Sequence, residues 1–208
     1  HMPVVQLMLD YVEADDIIAY TCKHKKYEDY IKIIVSSDKD FFQLCGDDNV
    51  MIWRPVQKEF VDRAMLVHKH GIHPNNYALA RAVDGDKSDN IIGVPNVGMK
   101  TIKSNFDFLS EEYKYSCDEL IVNCVMQIKQ KSVHRKLIEY QERIKNNYEI
   151  MQLYEPSISH NGRRSIEYII DNFEHGFNKL EITKMLMKDG QGEINLLDLW
   201  ASFRNMKP

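Results

Sequence analysis

Three short stretches of this chain concentrate carboxylates: EADD at 13–16, SSDKD at 36–40 and DGDKSD at 84–89. Glu13, Asp15 and Asp16 fall at the start of a helical pattern, where the i, i+3 spacing puts Glu13 and Asp16 on one face and projects Asp15 differently. Asp38 and Asp40 close an apolar, strand-like run, and a period of two aims both to the same side if the strand continues that far. Taken singly, each group has a plain explanation. First-turn acids cap helices and complement the macrodipole, and Ser37 or Asp38 could cap the helix that begins at DFFQLCG. Asp84, Asp86 and Asp89 could be solvated loop acids, since the twelve-residue calcium loop with its closing Glu is absent. Taken together, acids gathered at one sheet edge would repel one another unless cations lay between them. Oxygen-only ligands suit Mg²⁺ or Mn²⁺ and disfavour zinc. Two such ions roughly 4 Å apart form the arrangement that hydrolyses phosphodiesters, one generating hydroxide and the other steadying the leaving oxygen.

The elements that must position these acids follow from periodicity. VVQLML (4–9) and YIKIIVSS (30–37) have the length and β-branched content of buried strands, with a helix pattern over 13–27 between them. That order predicts a β-α-β unit, whose ligand edge lies at the strand C-termini and helix N-termini. VMIWRP (50–55) and KEFVD (58–62) predict a hairpin or last strand pair. Beyond that the strand signals stop and helical patterns run to the end, so the expected organisation is an α/β core over 3–70 and a helical region over 71–208. The 208 residues, 44% hydrophobic, suffice for a sizeable core. Cys22, Cys45, Cys117 and Cys124 form no C-x-x-C pair, which speaks against a disulfide framework and for a reducing, cytoplasmic setting. No apolar run approaches the roughly 20 residues of a membrane span. A net charge of −4 is not that of a generically basic nucleic-acid binder, yet metal ions can reverse the sign of an acidic cluster. His1-Met2 reads as an expression-tag scar, and the strand-like run follows at once, so the chain is expected to begin in mid-domain.

EADD, SSDKDF and GDKSDNIIGVPNVGMKT resemble, in order and spacing, three successive motifs of the structure-specific 5′-nucleases. That family includes flap endonucleases, polymerase-linked 5′ to 3′ exonucleases and the phage ribonuclease H type. The likeness covers residues 3 to about 110. It implies a Rossmann-like (PIN-like) parallel sheet, here truncated at its N-terminus, followed by a helix-three-turn-helix over about 84–110. It also implies that Glu13, Asp15, Asp16, Asp38 and Asp40 hold the first of two Mg²⁺ or Mn²⁺ ions and that Asp86 and Asp89 complete the second; Asp84 receives no role. The hairpin implied to grip duplex backbone comprises Gly93, Val94, Asn96, Val97, Gly98, Lys100, Thr101 and Lys103, with a K⁺ site nearby. Glycines allow close approach, and N–H groups at a helix start face phosphate. The family's Gly-Ile-Gly is here Asn96-Val97-Gly98, and its prolines are Ile92 and Met99; Asn tolerates the left-handed conformation such a turn needs.

The resemblance further implies an N-terminal strand, two more aspartates and a basic arch that these residues do not include, hence impaired catalysis with duplex binding retained. Branched or duplex DNA, an RNA–DNA hybrid and replication proteins are the implied partners, and the host cytoplasm the implied location for a phage-encoded chain. A sheet edge left without its neighbour predicts a homodimer. Two other functions fit parts of the pattern: a non-catalytic duplex-binding module, and a PIN-like single-strand ribonuclease, which leaves the glycine hairpin unexplained. His68, His70 and His73 read as solvated or capping residues. The lysines from Lys129 to Lys136 are expected as a solvated face or a phosphate strip, and Ile194, Leu197, Trp200 and Phe203 as a buried helical stripe.

Overall fold

The computed structural model describes residues 3–204 apart from His175 and Gly192. Its main sheet has the order β1–β2–β3, with β1 at Lys32–Val35, β2 at Val50–Arg54 and β3 at Glu59–Val61. β1 and β2 are parallel, Ile34 standing opposite Ile52, and β2 and β3 are antiparallel, Trp53 standing opposite Phe60. The hairpin expected over 50–62 is therefore present. Ile34, Val50, Ile52 and Val61 face inward, and Ile33, Val35 and Phe60 are exposed.

Residues 4–9, expected as a strand, join no ladder. Their exposure alternates as it does along extended chain, but β-branched composition favours extension without supplying a partner in register. The β-α-β unit over 4–37 is thus replaced by a parallel pair whose crossover is the 3₁₀ segment Asp40–Gly46. That segment is anchored by the buried Phe41, Phe42, Leu44 and Cys45. The helix expected over 13–27 is α1, Ala14–Cys22. His24 Nδ1 then accepts from the Lys26 amide and starts a separate 3₁₀ turn, Lys25–Tyr27, which is why the helix stops early.

After the sheet come α2 (Arg63–His70) and α3 (Tyr77–Asp84). Asp62 Oδ1 caps α2 by accepting from Met65 N at 2.8 Å, and Gly71, at φ 65°, ends it in the left-handed conformation. His73 Nδ1 accepts from the Asn75 amide at 3.2 Å, the capping role expected of it. A two-residue ladder unforeseen in the sequence follows, β4 (Gly85–Asp86) with β5 (Ile91–Ile92). Then come α4 (Met99–Asn105), α5 (Cys117–Met126), α6 (Ser132–Glu139) and α7 (Gln141–Met151). Ser116 and Glu119 form a capping box at the start of α5. Tyr77, Leu79, Ile102, Phe106, Leu109, Leu120, Leu137 and Ile144 are almost wholly buried. Each such side chain contributes about 1.5–3 kcal/mol of burial. Asn147 of α7 fixes that helix against the site by donating to Ala82 O at 2.9 Å and Ile92 O at 3.0 Å.

By contacts the chain forms two compact units, one of Glu13–Ser157 and one of His1–Val12 with Ile158–Pro208. The second contains α8 (His160–Asp171), α9 (Lys179–Lys188) and α10 (Leu196–Arg204). Trp200 and Phe203 meet the Phe177 ring at 5.5 and 5.7 Å, whereas Leu197 of the same stripe is 79% exposed. The four cysteines are free and buried. Among the described residues no helix is long and apolar enough to cross a membrane.

Candidate metal centre and phosphate hairpin

The three acidic stretches converge. Glu13, Asp15, Asp38, Asp40 and Asp89 line one cavity of about 780 Å³, with Arg143 and Asn147 beside them and Ile91, Ile92, Ile150, Met151 and Leu153 as an apolar wall. Glu13 is the N-cap residue of α1 but makes no side-chain capping bond, and Asp15 lies in the first turn. Asp16 does not line the cavity; its Oδ1 accepts from the Ser157 amide at 3.0 Å. The face shared by Glu13 and Asp16 in the i, i+3 argument is therefore split, with Asp15 taking the inward place, because the cavity sits at the helix end and not along its flank. Ser36 Oγ accepts from the Asp38 amide at 3.1 Å, and Asp38 Oδ1 accepts from the Asp40 amide at 2.9 Å. These nested turns fix the loop that follows β1; the N-cap of the 3₁₀ segment is Lys39, not Ser37 or Asp38, and no side chain caps it.

Asp40, Asp86 and Asp89 each offer a carboxylate oxygen within 4.8 Å of the others. Ligands of a Mg²⁺ ion at about 2.1 Å stand about 3 Å apart when adjacent and about 4.2 Å when opposite, so this hard, all-oxygen set fits such an ion once its carboxylates draw together. Arg81 of α3 joins two of them. Its Nε donates to Asp40 Oδ1 at 3.2 Å, one Nη donates to Asp86 Oδ2, and the other Nη donates to Gly85 O at 3.0 Å. Asp86 Oδ1 also accepts from the Ser88 amide at 2.8 Å and from the Ser88 hydroxyl.

The acids titrate differently for physical reasons. Burial first, then the charges of Asp38, Asp40, Glu13 and Asp16, push the Asp15 carboxyl up to about 6. Burial also raises Asp40, against the opposing pull of Arg81. Asp86 lies below the usual carboxylate range, chiefly because the Ser88 hydroxyl donates to it. Asp84 is raised by burial, although Arg81 at 3.9 Å and the Met99 amide favour its charged form. Asp84 thereby ties the end of α3 to the start of α4, an architectural role for a residue that the sequence left without one.

The hairpin adjoins this cluster. Asn96 has φ 59°, the left-handed conformation expected of it, and Gly98 is the N-cap of α4. Val97 N donates to Val94 O at 3.1 Å, and Val94 N to Val83 O at 2.8 Å. The Val94 and Val97 side chains are buried, so these residues offer backbone alone to a ligand. A Cβ on Gly93 would collide with the Asp84 carbonyl, which makes this glycine a requirement of the close approach between β5 and the end of α3. Thr101 lies inside α4, where its amide donates to Gly98 O at 2.8 Å, and so does not cap that helix. Lys100 and Lys103 are exposed, Lys103 Nζ reaching Lys69 O at 3.3 Å. Lys136 Nζ donates to Pro95 O at 2.8 Å and Lys131 Nζ to Asn105 Oδ1 at 3.0 Å, which places two lysines of the 129–136 run against the hairpin and α4.

Arg81, Arg143 and Asn147 are the site residues that motif reasoning misses. Arg81 had a signal: it is the one charge within the apolar run YALARAV, and a charge on a buried helix must be paired. Arg143, whose Nη donates to Gly93 O at 3.2 Å, carried none, because α7 reaches the site only through tertiary packing.

Residues 1–71 match the model of the 5′-3′ exonuclease N-terminal resolvase-like domain. A thermostable DNA polymerase I of Thermus aquaticus is 30% identical over 141 residues, 68% of this chain and 16% of that protein. A 5′-3′ exonuclease of Aquifex aeolicus is 36% identical over 89 residues, 43% of this chain and 30% of that protein. This chain therefore spans less than a third of either relative. A bacteriophage T5 flap endonuclease, solved as a pseudo-enzyme–product complex with DNA and metal ions, superposes with a TM-score of 0.62 at 19% identity, over 79% of this chain and 62% of that one. At that identity the likeness is one of fold, and it bears out the expected PIN-like α/β architecture. By its motifs, its family match and these relatives, this chain is similar over residues 1–71 to the N-terminal domain of 5′-3′ exonucleases.

Proposed function

We propose that this chain carries the metal-binding and duplex-gripping parts of a structure-specific 5′-nuclease that hydrolyses phosphodiester bonds near the 5′ end of flap or RNA-primed DNA. The observation that carries the reading is the convergence of carboxylates from three separate stretches on one cavity beside a glycine hairpin. Asp40, Asp86 and Asp89 would hold one Mg²⁺ or Mn²⁺, and Glu13, Asp15 and Asp38 a second. Asp16 serves through the Ser157 contact that seats α1. Ions bound there would supply an activated water and charge neutralisation at the scissile phosphate. The chain's own residues do the rest. Backbone amides of Gly93–Gly98, with Lys100, Lys103 and the nearby Lys136, hold duplex phosphates, and Arg143 faces the cavity as a further cation. K⁺ at the hairpin, an RNA–DNA hybrid as alternative duplex and a host-cytoplasmic location belong to the same reading, as does contact with replication proteins.

Five acids and one arginine line the cavity, so among the described residues the scissile phosphate has little cationic clamp, and turnover by this chain alone is low. The open edge of β1, with Ile33 and Val35 exposed, suits pairing with a second copy; light scattering that finds only monomer at high concentration refutes that pairing. The functional test is Asp86→Asn with Asp89→Asn, assayed on a 5′-flap duplex with Mn²⁺. Cleavage should vanish while DNA binding holds or tightens, as repulsion of phosphate falls. Undiminished cleavage would refute the metal assignment.

A further inference from the structure

The acids of the Asp40–Asp86–Asp89 triad are already partly neutralised. Arg81 sits 12% exposed behind them, one Nη anchored on Gly85 O at 3.0 Å, and reaches Asp40 and Asp86 at once. Both oxygens of Asp86 are engaged, Oδ2 by Arg81 and Oδ1 by Ser88. A divalent ion entering the triad must therefore share these oxygens or take them over.

We propose that Arg81 is a resident counter-cation: it holds Asp40 and Asp86 in register while no ion is bound, yields carboxylate oxygens to the ion, and by that competition limits ion affinity. This deepens the metal reading of the triad and rests on it. The physical argument is one of charge. With the guanidinium in place the triad and Asp84, which also lies 3.9 Å from Arg81, carry three net negative charges, of which one divalent ion neutralises two. A fixed positive charge a few ångströms from the ion opposes binding, whereas Asp40 and Asp86 without it would repel each other and lose their alignment. Arginine suits the task because its planar fork reaches two carboxylates together, which a lysine ammonium does not.

The experiment is calorimetric titration of the full chain with Mn²⁺ in three forms: wild type, Arg81→Met and Arg81→Lys. Arg81→Met should bind at least about tenfold more tightly than wild type, and Arg81→Lys, which keeps the charge, within about threefold of it. Wild type binding with Arg81→Met no tighter overturns this proposal alone, as does equal tightening by Arg81→Lys. If no form binds Mn²⁺, the metal reading itself falls and this proposal with it. Because Arg81→Met leaves two carboxylates without their partner and could unfold, the wild type gives an independent readout. The Arg81 Nε–H signal in ¹⁵N NMR should exchange slowly in EDTA, then shift and exchange faster with Mg²⁺; an unchanged signal at saturating Mg²⁺ overturns the proposal.

Discussion

The two halves of the acidic cluster store their charge in different ways. Asp40 and Asp86 are compensated from within, by Arg81 and Ser88, and Asp86 lies below the ordinary carboxylate range. Glu13, Asp15 and Asp38 have no such arginine in hydrogen-bond reach among the described contacts. Their mutual repulsion, added to burial, shows as the raised Asp15. Arg81 and Ser88 hold Asp40 and Asp86 through the chain's own hydrogen bonds. The other half gains most when a cation arrives, since among the described residues no arginine is hydrogen-bonded to Glu13, Asp15 or Asp38 to offset their repulsion.

The largest break in this comparison is Arg81→Met in EDTA. Removing one partner from a largely buried ion pair leaves its acids uncompensated, at a cost of about 3–5 kcal/mol. For a chain of this size that lowers Tm by several degrees. A melt unchanged within 1 °C or so would mean that Arg81 is not what orders Asp40 and Asp86.

Asp15→Asn sharpens the contrast from the other side. In the folded chain the Asp15 carboxyl titrates near 6, above its usual 3.8, so the folded state holds this proton longer than the unfolded state does. Its destabilising contribution is absent below about pH 4, grows as pH rises and is complete above about pH 6. Asp15→Asn should therefore raise Tm at pH 8 in EDTA and leave it unchanged near pH 4. An equal gain at both pH values would assign the effect to something other than charge.

The smallest expected effect is that of Asp16→Ala, which removes the acceptor for the Ser157 amide. It should cost about 1 kcal/mol of stability in urea unfolding and leave the number of Mn²⁺ ions bound unchanged. Loss of an ion would place Asp16 among the ligands.

Much of this site was legible in the sequence, and the residues that were not share a cause. The acids and the hairpin lie in contiguous motifs, so their types and spacing pointed to carboxylates gathered beside a tight turn, and the structure brings them together. Asn96 even announced its left-handed backbone. Asp16 could not be separated from Asp15, because helical periodicity says which residues share a face and not which face the cavity meets. Arg143 and Asn147 reach the site only when α7 packs on the hairpin and α3, through contacts between residues 50 and 65 positions apart that no local pattern encodes. The run 4–9 misled for a related reason. Extended character is local, whereas pairing depends on a partner strand elsewhere in the chain.

The central claim is that divalent cations bind at the junction of the three acidic stretches, and site-resolved NMR line broadening by substoichiometric Mn²⁺ tests it most directly. Amide signals of residues 13–16, 38–40 and 86–90 should broaden first, and Asp86→Asn with Asp89→Asn should remove the effect around 86–90. Broadening centred elsewhere, for instance on Asp47 and Asp48, or none at millimolar Mn²⁺, would contradict the account.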